Sequence, residues 1–368
     1  MKTLIRGTAA VLAAAVLFAL PVRAAPTLSA RCAILMDGDT GEILYAQNPG
    51  DRSLIASTTK IMTAVVVLEH CPLEMEYEIP PQATGIEGSS IYLQPGEILT
   101  VEELLYGMLL HSGNDAAVAL ALACSDDLWE FVDLMNLKAQ KLGLKNTHFD
   151  NPNGLDSDTH YSTAYDLATL TRYALQNEDF VRIVSTKTKT IGSRCLTNHN
   201  KLLWMVEGAM GVKTGFTKAA GRILVSAAEQ KGRRLIAVTI HDGNDWADHK
   251  ALYDYGFSCY EETEVVKEGD VVGELSLLDG TAVPVSAGER VTYALRPEEK
   301  AEIIVTYPAT AFAPGEPGSF AGWGIVKIGE RQIGRISLVW GESREGKITE
   351  NHIGSRHYLP SQGGGADR

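Results

Sequence analysis

Apolar residues run almost unbroken over Thr8–Leu20 and again over Ile61–Leu68, yet the two runs predict different things. The first follows the basic Lys2 and Arg6 and precedes Pro21-Val22-Arg23-Ala24-Ala25, whose small residues suit a processing site, so residues 1–25 read as a Sec-type signal peptide. About thirteen apolar residues fall short of the ~20 that span a bilayer, which disfavours an uncleaved anchor. The second run lies in a stretch from Ser57 to Glu69 without Gly or Pro and almost without a polar face, which predicts a helix buried on all sides. Ala33–Met36 and Glu42–Tyr45 flank Asp37-Gly38-Asp39-Thr40-Gly41 as a strand, turn and strand. Val101–Leu110, Asp115–Cys124, Leu128–Leu142 and Tyr165–Gln176 carry helical patterns.

The texture then becomes extended. Gly211–Thr217, Gly221–Ala228 and Leu235–His241 predict an antiparallel meander, and Trp246–Tyr255 a helix stopped by Gly256. Strands at both ends with helices between them imply an α+β domain over residues 26–262, whose sheet joins the two ends of the segment. Short strands with frequent turns follow: Val271–Leu275, Ala282–Val285, Val291–Leu295, Glu302–Val305 and Ile333–Val339 predict a small all-β domain over residues 263–341. Residues 342–368 are polar, end in Gly363-Gly364-Gly365-Ala366-Asp367-Arg368, and are expected not to fold.

With 45% hydrophobic and 21% charged residues, the 368-residue chain can bury a sizeable core. Its 46 acidic against 33 basic residues give a net charge of −13 without any basic run, which argues against nucleic-acid binding. Loss of residues 1–25 removes three basic residues and no acid, leaving −16. Cys32, Cys71, Cys124, Cys195 and Cys259 form no CxxC pair and are expected to be mostly reduced and buried, as in Ala121-Leu122-Ala123-Cys124. The nine histidines include no HExxH, and His241 and His249 lack helical ligand spacing, so no metal site is expected.

Three short motifs carry the candidate chemistry. Ser57-Thr58-Thr59-Lys60 opens the apolar helix and places a hydroxyl and an amine about one turn apart, while burial would lower the pKa of the amine until it could act as a base. Ser112-Gly113-Asn114 falls in a break between two predicted helices and offers a hydroxyl to relay a proton and an amide to hold a peptide. Lys213-Thr214-Gly215 lies on the first meander strand, where glycine lets a substrate backbone approach. Each motif alone is weak, but SxxK, SxN and KTG in this order form the constellation of the penicillin-recognising serine enzymes.

Over about residues 30–260 the chain resembles the low-molecular-weight penicillin-binding proteins, the serine-type D-alanyl-D-alanine carboxypeptidases. Beyond the motifs, the resemblance runs through Asp37–Leu44, Asn151-Pro152-Asn153-Gly154-Leu155 and His160–Asp166, and extends more loosely to residues 263–341. It implies a penicillin-binding transpeptidase-type α+β domain followed by a small β domain. Ser57 would then be the nucleophile, Lys60 its base, Ser112 a proton relay and Asn114 a substrate-amide contact. Lys213, Thr214 and Thr217 would receive the substrate carboxylate beside Gly215, and the N–H groups of Ser57 and Phe216 would form the oxyanion hole. Some relatives carry His where Phe216 stands, and some place an arginine after the last meander strand, where Gly243-Asn244-Asp245-Trp246 has none.

The resemblance implies peptidoglycan stem peptides as substrate, β-lactams as inhibitors, an extracytoplasmic location and no cofactor or metal. The tail lacks the amphipathic helix that anchors many relatives to membranes, so membrane association is left open. A β-lactamase is the first alternative, but no Glu between Asp150 and Asp166 could activate a deacylating water as in class A enzymes. A catalytically silent wall-binding module is the second, disfavoured by the intact Ser57, Lys60, Ser112 and Lys213. His111 and His160 are expected to be structural.

Overall fold

A computed structural model describes residues 24–276, 282–296, 299–306 and 315–341. Most of the signal-peptide segment and the whole 342–368 tail lie outside these residues. The first hairpin is β1 (Cys32–Asp37) and β2 (Ile43–Gln47), and every β1 residue is buried. A 3-10 turn, Ala56–Thr59, leads into α1 (Lys60–His70), whose residues from Lys60 to Val67 are all buried, as the absence of a polar face requires. The short pair β3 (Glu76–Glu78) and β4 (Ile98–Thr100) precedes α2 (Val101–Leu110), which a Thr100–Glu103 capping box starts at the predicted residue.

The helical layer continues with α3 (Asn114–Cys124), α4 (Leu128–Lys141), α5 (Ala164–Ala174) and α6 (Glu178–Ser185). A hairpin, β5 (Thr188–Ile191) and β6 (Arg194–Thr197), and one turn of helix, α7 (Leu202–Met205), lead to the meander. Its strands are β7 (Ala209–Thr217), β8 (Gly221–Gln230) and β9 (Arg233–Ile240), followed by α8 (Asp245–Phe257). The sheet order β2-β1-β9-β8-β7 joins the two ends of the segment as expected and leaves β7, the strand of the KTG motif, at an edge.

Two expectations are corrected. Gly256 does not stop its helix: it sits in the last turn of α8, where a Cβ would come 2.5 Å from Leu35 and 2.7 Å from Leu235, so its lack of a side chain serves packing onto the sheet. Cys71 and Cys124 are not reduced: they form a disulfide between the end of α1 and the end of α3. Cys32 is free and buried, whereas Cys195 is free and exposed.

The remaining strands are β10 (Glu261–Val266), β11 (Val271–Ser276), β12 (Ala282–Ala287), β13 (Val291–Leu295), β14 (Ala301–Thr306), β15 (Phe320–Ile328) and β16 (Arg331–Trp340). β10 pairs with β13, and the others form a sheet of order β11-β12-β16-β15-β14 over a core that includes Val285, Val326, Ile336 and Leu338. The sequence pattern missed β15, whose Gly322 and Gly324 break the β-branched texture. Arg233 ties this region to the first sheet. Its buried guanidinium donates to Ala294 O, pairs with Asp37 and Glu299, and lies over the rings of Tyr260 and Tyr293.

Candidate active site

Ser57 stands on a constrained turn. Ala56 before it has φ +44°, a left-handed conformation that is costly for a residue with a Cβ. Gly154, at φ +88°, packs so closely on this peptide that a Cβ would reach within 2.0 Å of Ala56 O. The Thr59 hydroxyl donates to Ala56 O at 2.8 Å and lies 2.7 Å from His160 Nε2. His160 Nδ1 accepts the Asp150 N–H at 3.0 Å, which places the ring proton on Nε2 and makes Thr59 its acceptor. Burial lowers the His160 pKa to about 4, so the ring is neutral at physiological pH. A chain from Asp150 through His160 and Thr59 thus braces the peptide that precedes Ser57.

Lys60, the first residue of α1, is fully buried, with Nζ 2.9 Å from Ser57 Oγ and 2.6 Å from both Asn114 Oδ1 and Asn153 O. Burial, then repulsion from Lys213, holds its pKa well below that of an ordinary lysine, against an opposing pull from Asp115. In this arrangement the Lys60 amine donates to all three oxygens, Ser57 Oγ among them.

The other motifs converge here. Asn114 bridges: its Oδ1 meets Lys60, and its Nδ2 donates to Glu87 O at 2.5 Å. Asp115 accepts from Ser90 Oγ, Ile91 N and Leu93 N, fixing the loop against Asn114. Ser112, two residues before Asn114, is buried at φ +65°, and its hydroxyl makes no hydrogen bond among the described residues. On β7, Gly215 faces the Ser57 turn: a Cβ there would lie 3.2 Å from Ile55 O and 3.3 Å from Thr58 N. Lys213 is buried, donates to Thr214 O at 2.8 Å, and is lowered by burial to about 7. Thr217 Oγ1 accepts the Ala220 N–H, and Phe216 is two-thirds exposed.

Several supporting residues left no chemical signature in the sequence. Asn153 acts through its main-chain oxygen, which does not depend on residue identity. The 151–154 turn is held by Asn151, whose Oδ1 accepts from Gly154 N, and by Thr63, which donates to Pro152 O. His111 and His199 pack with ring centroids 4.8 Å apart, and burial, Lys213 and His111 lower His199 to about 4. Among the described residues, no group of three or more metal-ligating side chains occurs and no helix is long and apolar enough to cross a membrane.

A buried amine of lowered pKa, 2.9 Å from a serine hydroxyl and beside the edge of an antiparallel sheet, has the make-up of a serine acyl-transfer site. Residues 21–244 match the family Peptidase_S11, D-alanyl-D-alanine carboxypeptidase. The chain is 37% identical over 266 residues to D-alanyl-D-alanine carboxypeptidase DacF of Bacillus subtilis, covering 68% of each protein. It is 36% identical to D-alanyl-D-alanine carboxypeptidase of Streptomyces sp. strain K15, covering 68% of this chain and 96% of that one. The structure superposes on penicillin-binding protein 5 of Haemophilus influenzae with a TM-score of 0.64 at 30% identity, covering 87% of this chain and 98% of that one. The protein belongs to the D-alanyl-D-alanine carboxypeptidase family of serine peptidases.

Proposed function

We propose that Ser57 carries the carboxypeptidase reaction by two-step acyl transfer on peptidoglycan stem pentapeptides. Neutral Lys60 takes the Ser57 proton as Oγ attacks the carbonyl of the penultimate D-Ala. The N–H groups of Ser57 and Phe216 receive the developing oxyanion, Ser112 passes the proton from Lys60 to the departing amine, and the terminal D-Ala leaves. Water, deprotonated through Lys60 and Ser112, then attacks the acyl-enzyme and releases a tetrapeptide. Asn114 keeps one amide N–H for the substrate after serving Glu87 O, and Thr214, half-exposed on the edge strand, binds the terminal carboxylate beside Lys213 and Thr217.

The observation that carries this reading is the 2.9 Å approach of a fully buried Lys60 Nζ to Ser57 Oγ. β-Lactams would acylate the same hydroxyl. Intact-protein mass spectrometry after benzylpenicillin should locate one adduct on Ser57 and none in Ser57→Ala; a Ser57→Ala protein that still forms the adduct would refute the assignment. Residues 1–25 are proposed as the export signal, residues 26–262 as the catalytic domain and residues 263–341 as an accessory β domain, which places the enzyme outside the cytoplasmic membrane.

A further inference from the structure

Hydrolysis at a peptide's C-terminus requires the enzyme to recognise a free carboxylate. Lys213 is an incomplete answer, because it is buried and its Nζ is engaged by Thr214 O. The segment Gly243–Trp246 contributes no cation of its own. It holds one instead. We propose that Arg222 on β8 is a specificity residue that receives the C-terminal carboxylate of the substrate together with Thr214; this rests on the acyl-transfer function proposed for Ser57.

The register puts Arg222 directly opposite Phe216, and Leu224 opposite Thr214. Because side chains alternate along a strand, Thr214, Phe216 and Arg222 share one face of the sheet, opposite to that of Gly215. Arg222 is then the diagonal neighbour of Thr214, a separation of about 7–8 Å between backbones that an arginine side chain spans readily. β7 is the edge strand, so nothing within the sheet lies beyond Thr214.

The guanidinium is already oriented. Its Nε and Nη2 form a fork on Asp245, at 3.0 Å and 2.7 Å, and the group lies 5.7 Å from the Trp246 ring centroid. Nη1 makes no hydrogen bond among the described residues. The Arg222 side chain is 45% exposed against 5% for Asp245, so the free edge is on the solvent side. A guanidinium keeps its charge at any working pH and offers paired donors that match a carboxylate. Lys218, in the turn between β7 and β8, is also exposed, and its amine has no hydrogen bond or ion pair among the described residues.

The test compares an acylated peptide ending in D-Ala-D-Ala with the same peptide as its C-terminal amide. Arg222→Ala should lower kcat/KM for the free acid by about 10- to 100-fold, the range for a lost charged hydrogen bond, mainly through KM, while the slower cleavage of the amide changes little. Arg222→Lys should recover part of the acid preference, and Lys218→Ala should retain it. Equal losses on acid and amide would reduce Arg222 to a latch between β8 and α8 and overturn the proposal, as would an unchanged acid-to-amide ratio. Retained turnover in Ser57→Ala would instead bring down the assignment of the nucleophile, and this proposal with it.

Discussion

Lys60 Nζ lies 2.6 Å from the main-chain oxygen of Asn153, a contact that joins the first helix to a loop 93 residues further along the chain. With Asn114 Oδ1 taking a second N–H, this contact fixes the position of the amine beside Ser57 Oγ. Lys60→Arg keeps a cation that cannot give up its proton, so penicillin acylation should fall by ~10² to 10⁴, the usual contribution of a general base. Stopped-flow labelling checks it, with near-UV circular dichroism to confirm the fold; an unchanged rate would assign the base elsewhere.

The pH profile tests the repulsion between the two buried lysines. Lys213 lowers the Lys60 pKa, and with Lys60 as the base proposed above acylation should rise with pH as its proton is lost. Replacing Lys213 by Met removes that repulsion and lets the Lys60 pKa rise, and the acid limb of acylation should move to higher pH. A limb that stays in place or moves down would show that Lys213 exerts no such field on the base.

His160 links folding stability to acid. Its folded pKa of about 4 lies below the ordinary 6.5, so the unfolded chain binds the proton first. The neutral ring's contribution is intact above about pH 6.5 and is lost as pH falls toward 4, with an overall size on the order of 3 kcal/mol. His160→Gln should flatten part of the acid limb in urea titrations run across that window. His199 and His249, lowered by burial to about 4 and about 3, preserve the rest. An acid limb of the same depth in His160→Gln would rule out this linkage.

Arg233 is a buried charge with partners on β1, on β13 and at Glu299, and Asp37 depends on it. Burial raises the Asp37 pKa, but the Tyr260 hydroxyl at 2.6 Å, the Thr40 N–H and Arg233 outweigh it and hold the carboxylate ionised. Arg233→Met strands that carboxylate and should cost about 3–5 kcal/mol by denaturant unfolding. A loss below ~1 kcal/mol would show that Tyr260 and the turn N–H groups suffice.

The Cys71–Cys124 disulfide spans a sequence separation of 53. Its removal as Cys71→Ala/Cys124→Ala should lower stability by about 2–4 kcal/mol, read from thermal unfolding with and without reductant. Alkylation of the native, unreduced protein should modify Cys195 and spare both disulfide cysteines; labelling of Cys71 or Cys124 would contradict the pairing.

Where the local pattern was strong, the sequence was a sufficient guide. α2 begins and ends where its apolar pattern places it, and Ser57 and Lys60 could be paired from their three-residue spacing at the opening of the apolar helix, although Ser57 itself sits on the 3-10 turn before α1. Gly256 misled because a glycine that ends a helix and one that lets a helix lie close to a sheet look alike until Leu35 and Leu235 are in place. The pairing of Cys71 with Cys124 was hidden for a similar reason: the packing of α1 on α3 brings together two helix ends that carry no spacing signal.

Residue identity alone therefore supplied the candidate nucleophile, the candidate base, the order of the motifs and the antiparallel α+β class, because helix and strand periods and the SxxK spacing are properties of neighbours in the chain. Tertiary structure decided which atoms complete the site: the carbonyl of Asn153, the His160–Thr59 brace, and the register that sets Arg222 beside Thr214. Main-chain oxygens carry no residue label, and strand register is fixed only when the sheet packs, so these contacts exist only in three dimensions.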